Sequence, residues 1–358
     1  MKSLKNVLLF VCLSFLCVNS VFAAKKASVK TEVASFDKHG NANLKITGNL
    51  FAANGFGLGD IVSIKLGSFK FDAAVGKNYS DVDNGDYILR INDQEISLAI
   101  NTGNLEMKSE AKPGDSVVIT MKEKLGYLRT YQSRILKKSE NRDDYVSDEV
   151  FANWRTVKGG LIAPNRLYRS ASPIEGDARS PYVDELLAKS PVKTIINLAD
   201  SEAAGSARMV AVPFYQDIAA KNNAIFLNMG AAYADRVFAR KLKAALEFMA
   251  DHEGPYLVHG KEGKIRTGFV CSVLASLCGA TLAELDEDYM LSYENLYGLK
   301  KSSTQYVAIN KSVSEMFIEI SGGKKVTDAN VKSLAEAYLK KTVGLSDETI
   351  GKLRTNLQ

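Results

Sequence analysis

Apolar and polar positions alternate with period two through the first third of the chain. Residues 28–36, 43–46, 61–66, 69–74, 87–91, 96–100 and 116–121 each read as a half-buried strand. Asn54-Gly55, Asn84-Gly85 and Pro113-Gly114-Asp115 punctuate them as turns. Gly59-Asp60 and Gly114-Asp115 each launch a strand, with similar residues following. Seven short strands and no long helical pattern predict a small all-β domain, a barrel or sandwich, over about 25–125. Beyond residue 159 the pattern changes. A helix at 182–189 precedes a β-branched run at 192–198. A strand at 224–229 leads to a helix at 237–250. Next come an apolar strand at 256–258 and a helix at 269–277 ended by Gly279. Four further helical stretches follow, at 282–296, 305–320, 328–343 and 347–357. Strands that alternate with helices predict an α/β domain over 159–358, with a parallel-rich sheet covered on both faces and a helical tail. Its ligands are expected beyond the carboxyl ends of the strands.

Between these regions, 126–158 is a connector. Residues 137–148 are dense in charge and read as solvated chain. Trp154, the one tryptophan, is expected to dock the connector onto the second domain.

The first residues change the picture of location. Lys2 and Lys5 precede an apolar run at 7–18, and Val21-Phe22-Ala23 supplies small residues for cleavage. The run is short for a bilayer span, which needs about 20 residues, and reads as a signal peptide over 1–23. The expectation is an exported bacterial protein, periplasmic or secreted, with no stable membrane span after cleavage. Losing Lys2 and Lys5 lowers the formal charge from +5 to +3. That is too mild to argue for a nucleic-acid partner. Only Cys271 and Cys278 would remain. Seven residues apart on one helix means about 10 Å of rise, so they do not bridge each other and read as core. No Cys/His cluster suggests a metal, and no cofactor is expected.

The candidate chemistry lies in Val258-His259-Gly260-Lys261-Glu262-Gly263-Lys264-Ile265-Arg266-Thr267-Gly268. A strand, a glycine-bearing loop and a helix in that order make an anion site. The loop amides converge, and the helix N-terminus adds partial positive charge. Arg266 has a planar fork that grips two phosphate oxygens. Lys261 and Lys264 add positive potential or are merely solvated.

This segment resembles the signature loop of the protein tyrosine phosphatases, a histidine and cysteine followed by glycine, arginine and threonine or serine. His259, Gly263, Arg266 and Thr267 fall in register, and Gly260 stands at the cysteine's position. The resemblance extends to Leu167-Tyr168-Arg169-Ser170-Ala171-Ser172-Pro173, to the segment ending at Asp200, to 288–295 and to the last helix, so it covers most of 150–358. It implies a phosphate-binding loop at 259–267, formed by His259, Lys261, Glu262, Gly263, Lys264, Ile265, Arg266 and Thr267. It implies that His259 orients the loop, and that the cysteine thiolate of the family would attack phosphorus. Gly260 has no side chain for that attack. Ile265 stands where related bacterial enzymes carry an aspartate. Asp200 and Asp235, each after a strand, are the candidates for a general acid, against ordinary capping or turn roles.

In the first domain, the run from Phe71 through 79–82, Asn92, 98–105 and Gly114-Asp115 resembles the C-terminal β-domain of the S-adenosylmethionine hydroxide adenosyltransferases. The larger catalytic domain of that family is absent, so no adenosyl chemistry is implied. Three readings stand at this point. One is a pseudophosphatase holding a phosphorylated small molecule or phosphopeptide. Another is an active tyrosine, dual-specificity or inositol-phosphate phosphatase whose cysteine is altered at Gly260. The third is an interaction protein working through its β-domain. Oligomeric state is not readable.

Overall fold

The computed structural model describes residues 27–92 and 94–358. The signal-peptide reading therefore falls outside the described residues. The chain divides into two compact units, with the boundary between Tyr127 and Leu128.

The first unit is a closed barrel. Its strands are β1 (Ser28–Phe36), β2 (Ala42–Leu44), β3 (Ile61–Leu66), β4 (Phe69–Gly76), β5 (Tyr87–Ile91), β6 (Ile96–Ile100) and β7 (Ser116–Glu123). They run in the order β1-β2-β6-β5-β4-β3-β7, and β1 pairs with β7 to close the ring. Closure removes the unpaired edges that an open sheet would expose. Alternation drives it: in β3, Val62, Ile64 and Leu66 are buried while Lys65 is exposed. The one parallel pair, β4 with β5, needs a crossover, which passes through a short 3-10 turn at Tyr79–Asp81. The two segments launched by Gly-Asp pair antiparallel with each other, Ser63 opposite Thr120. Gly59 and Gly114 hold φ of 84° and 92°, which a side chain rarely tolerates. Two short helices, Gly48–Ala53 and Leu105–Ser109, interrupt the predicted all-β run. Thr47 and Asn104 cap them.

The second unit carries a five-stranded sheet of β8 (Arg155–Thr156), β9 (Leu167–Ser170), β10 (Thr194–Asn197), β11 (Ala224–Phe226) and β12 (Tyr256–His259). The order is β11-β10-β12-β9-β8, parallel except for β8. Successive residues of the strands enter different cores. Ile196, Tyr256 and Val258 join one hydrophobic cluster, while Ile195, Leu257 and Tyr168 join the other. β12 is central and buried throughout. The helix after it, Ile265–Leu277, is buried from Thr267 onward, as a helix with apolar residues on every side must be.

Several expectations are corrected. The helix predicted from residue 269 starts at Ile265, so Arg266 and Thr267 sit in its first turn. The stretch 305–320 is two helices, Thr304–Ile309 and Ser312–Ile320. The helix predicted from 328 starts at Val331, after a turn in which the Thr327 carbonyl accepts the Asn330 and Val331 N–H groups at 3.1 and 2.9 Å. The charged run 137–148 is docked at several points while Lys137, Glu140, Asp143 and Asp144 stay exposed. Glu140 pairs with the buried Arg179, and the Tyr145 hydroxyl donates to the Ser139 carbonyl at 2.8 Å and the Leu296 carbonyl at 3.1 Å. Trp154 packs on Tyr168 with ring centroids 5.4 Å apart.

Candidate functional site

At the carboxyl end of β12 the chain turns through 260–264 into the helix Ile265–Leu277. Gly263 makes the turn with φ of 65°. A Cβ there would lie 2.1 Å from the Ser170 carbonyl oxygen, so only glycine fits.

The carbonyls of the loop are held outward. Lys261 O accepts from the Ser172 N–H at 3.2 Å. Glu262 O accepts from Asn153 Nδ2 at 2.9 Å. Gly263 O accepts from Arg169 Nη2 at 2.8 Å, and Lys264 O from the same nitrogen at 3.2 Å and from the Gly268 N–H at 2.8 Å. Each peptide is planar and trans, so an outward C=O turns the next N–H inward. The N–H groups of Glu262, Gly263, Lys264 and Ile265 therefore face the concave side. They make no main-chain hydrogen bond with carbonyls of the described residues. The concavity holds about 230 Å³ and is lined by Ala231 and residues 260–267. Gly260 is buried at its floor, while Lys261 and Ile265 are exposed at its rim. Converging amides, a helix N-terminus and Arg266 suit a tetrahedral oxyanion.

Behind the loop lies a buried polar cluster that sequence reasoning missed. Asp288 pairs with Arg169 and, at 3.1 Å, with Arg155 Nε. Arg155 also donates to Ser292 Oγ at 2.9 Å and to Asn153 Oδ1 at 2.6 Å. Burial opposes the charge on Asp288, but Arg169 and Arg155 outweigh it and hold the carboxyl below its ordinary range. The available signal was a charged residue inside a short strand, Arg169 within Leu167–Ser170, which the fold buries.

The side chains named from the sequence separate into groups. Arg266 lines the concavity, with Nη1 tied to the Met229 carbonyl at 2.7 Å and the Leu198 carbonyl at 3.2 Å. Thr267 is buried at the same wall. Lys261 reaches Glu175 at 3.1 Å. The Lys264 ammonium turns away, bonding the Tyr297 hydroxyl, pairing with Glu262 at 3.2 Å and lying 4.5 Å from the Tyr297 ring centre. Glu262 also meets Lys138 at 3.0 Å. Burial acts to raise its pKa, but Lys264 and Lys138 prevail and hold it below the ordinary carboxylate value. His259 does not line the concavity. It is buried, with Nε2 3.0 Å from the Tyr215 hydroxyl, and burial pushes its pKa down to about 3. Its Nδ1 is buried without a hydrogen-bond partner, so the ring makes no side-chain bond to the loop.

Neither acid candidate lines the concavity. Asp200 is buried and paired with Arg208 Nη1 at 2.6 Å and Asn197 Nδ2 at 2.9 Å. Asp235 caps the helix Arg236–Asp251, accepting the Val237 N–H at 2.6 Å. Cys271 lies inside the buried helix with its thiol pushed up to about 12 by burial. It is far from the thiolate character that reactivity needs. Among the described residues no group of three or more His, Cys, Asp or Glu is placed to hold a metal, and no helix is long and apolar enough to cross a membrane.

Residues 151–358 match the profile of the tyrosine phosphatase family, and 31–118 match the C-terminal domain of S-adenosylmethionine hydroxide adenosyltransferases. A comparison with curated proteins finds no match. Among solved structures, an uncharacterized conserved protein from Thermotoga maritima is 31% identical over 26% of this chain and 36% of that one, with a TM-score of 0.25. A conserved hypothetical protein from Thermus thermophilus is 22% identical over 25% and 34%, at 0.20. The core catalytic domain of the PP-IP phosphatase SIW14 from S. cerevisiae, in complex with citrate, is 17% identical over 45% and 93%, at 0.27. The chain thus spans about a third of the length of the first two.

Proposed function

The chain belongs to the tyrosine phosphatase family, and from that premise we propose that it is a pseudophosphatase: an exported protein whose loop at 259–267 holds a phosphorylated small molecule or phosphopeptide without turning it over. The observation that carries this reading is Gly260 at the buried floor of the concavity. It occupies the family's nucleophile position and has no atom with which to attack. Cys271 and Cys278 do not substitute, since both are buried. Neither Asp200 nor Asp235 reaches the concavity to protonate a leaving group. The oxyanion-holding parts remain: four inward N–H groups, the helix N-terminus and Arg266. Removing a nucleophile from such a site leaves only about 10³–10⁴-fold catalysis over water, from binding and electrostatics. Phosphate monoester hydrolysis requires accelerations up to ~10²¹, so that remnant is negligible. Export rests on the leader-like pattern of residues 1–23.

The test is p-nitrophenyl phosphate turnover by this protein and by Gly260→Cys, with calorimetric phosphate binding to both. The expected result is binding by both and turnover by Gly260→Cys alone. Efficient turnover by the unmodified protein would sink the reading, and so would the absence of phosphate binding.

A further inference from the structure

We propose that the outer wall of the barrel formed by β1, β7, β3 and β4 binds an acidic polysaccharide, a linear glycan with repeated carboxylate or sulfate groups. This site lies in the first unit and does not depend on the loop at 259–267.

The strand registers build the surface. Lys70 stands opposite Lys65, Lys65 opposite Val118, and Val118 opposite Lys30. These four residues form one row across four strands. The residues flanking the row along β3 and β7, Ile64, Leu66, Val117 and Ile119, are buried, so the row faces outward. Lys30, Lys65 and Lys70 are exposed, and none of them has an ion pair with a described residue. The carboxylates two positions along the same strands are taken by other lysines. Asp72 holds Lys122 at 2.5 Å and accepts from Ser63 Oγ at 2.6 Å, and Glu32 holds Lys45 at 2.8 Å. Like charges directly opposite each other on antiparallel strands oppose folding. The barrel therefore carries a lysine pair that costs it stability and that its own acids do not neutralise. An anionic partner supplies the missing counter-charge.

Spacing and neighbouring groups set the chemistry of that partner. Adjacent strands lie about 4.8 Å apart, so the stems of Lys70 and Lys65 are about 5 Å apart and Lys30 lies about 10 Å beyond Lys65. Such a row fits a chain that repeats its charge better than a single ion. The next outward row is Asp72, Ser63, Thr120 and Ser28. Its hydroxyls, with Ser28 Oγ 3.2 Å from Thr120 Oγ1, keep hydrogen-bonding capacity for the hydroxyls of a sugar. An open groove of about 480 Å³ runs over Ser63, Lys65, Lys70, Asp72, Val118 and Thr120. No position of either row is aromatic, so the wall offers no platform for stacked bases. None is an exposed large hydrophobic, and three lysines fall short of the about four to eight that mark a polybasic lipid-binding cluster.

The experiment uses the full chain, with heparin and polygalacturonate as probes, neutral dextran as the control, and calorimetry at fixed ionic strength. Both polyanions should bind, dextran should not, and affinity should fall steeply with added salt. Lys65→Gln/Lys70→Gln should weaken heparin binding about fivefold or more. Its thermal midpoint should stay at or above that of the wild type, because a like-charge pair is gone. Lys38→Gln/Lys77→Gln removes the same charge beyond the far ends of β1 and β4, and should change affinity less than about twofold. Saturating phosphate at the same ionic strength should not displace heparin. Failure of both polyanions to bind would overturn the proposal. So would unchanged affinity in Lys65→Gln/Lys70→Gln, or an equal loss in Lys38→Gln/Lys77→Gln. Displacement by phosphate would place the polymer at the loop and overturn it too. Tighter binding to oligothymidylate or to phosphatidylglycerol vesicles than to heparin would overturn the choice of a glycan. Phosphate affinity is read separately, so the failure of this proposal leaves the phosphate-binding reading standing, and the reverse.

Discussion

Arg169 Nη2 donates to the Gly263 carbonyl at 2.8 Å from behind the loop, while a Cβ on Gly263 would strike Ser170 O at 2.1 Å. The loop is gripped between a buried guanidinium and a strand end. Its amides face the concavity because its carbonyls are taken on the other side. The shape of the site is thus set by residues that do not line it.

Asp288 is the charge that keeps this grip in place. Arg155 and Arg169 share it, and removing its charge leaves two buried guanidinium groups side by side. Breaking a buried pair by removing one partner costs about 3–5 kcal/mol. Asp288→Asn should therefore lower the unfolding free energy measured in urea by that amount and weaken phosphate binding as the loop relaxes. A stability change under about 1 kcal/mol would show the cluster to be incidental.

His259 gives a pH signature. Burial lowers its pKa from 6.5 to about 3, so in the folded protein it stays neutral where the unfolded chain takes up a proton. The unfolded state binds more protons between those values, so stability is full above about pH 6.5 and falls as pH drops toward 3. The loss is on the order of a few kcal/mol. Comparing urea unfolding of the wild type and His259→Gln across that window should show a shallower fall in the variant. Parallel curves would mean that the ring is hydrated.

Asp235 caps a helix through the Val237 and Phe238 N–H groups. Asp235→Ala should cost about 0.5–2 kcal/mol of stability, the usual loss for a carboxylate cap. Phosphate affinity measured by calorimetry should stay the same. A large loss of affinity at unchanged stability would return this residue to the site.

Cys271 should be silent. Its buried thiol, pushed up to about 12, has almost no thiolate at neutral pH. Iodoacetamide should label neither Cys271 nor the equally buried Cys278 in the native protein, and both after denaturation. Rapid native labelling of Cys271 would contradict the packing described for its helix.

Barrel strands such as β3 were legible because one face is buried and the other meets water, so burial is written as alternation, although β6 is buried at every position. The seven predicted runs match β1 to β7 within two residues. The helix of the site was read too short. Ile265 and Arg266 look like loop residues because the first turn of that helix faces the concavity and not the core. The docking of 137–148 was invisible, since it depends on partners remote in sequence such as Arg179 and Leu296.

By itself the sequence determined the strand–loop–helix arrangement of the site, the glycine at 260 and the arginine at 266. Those are local facts: residue identity and spacing suffice to say that amides and a guanidinium gather at a helix N-terminus. Only the tertiary structure decided which charges belong to the site. Lys264, Asp200 and Asp235 sit close to it in sequence or pattern, yet each is engaged by another partner. Arg169, Arg155 and Asp288 come from distant segments and set the loop's direction. A buried charge must find its counter-charge wherever the fold brings one, and that pairing is a property of three-dimensional contact that no spacing along the chain encodes.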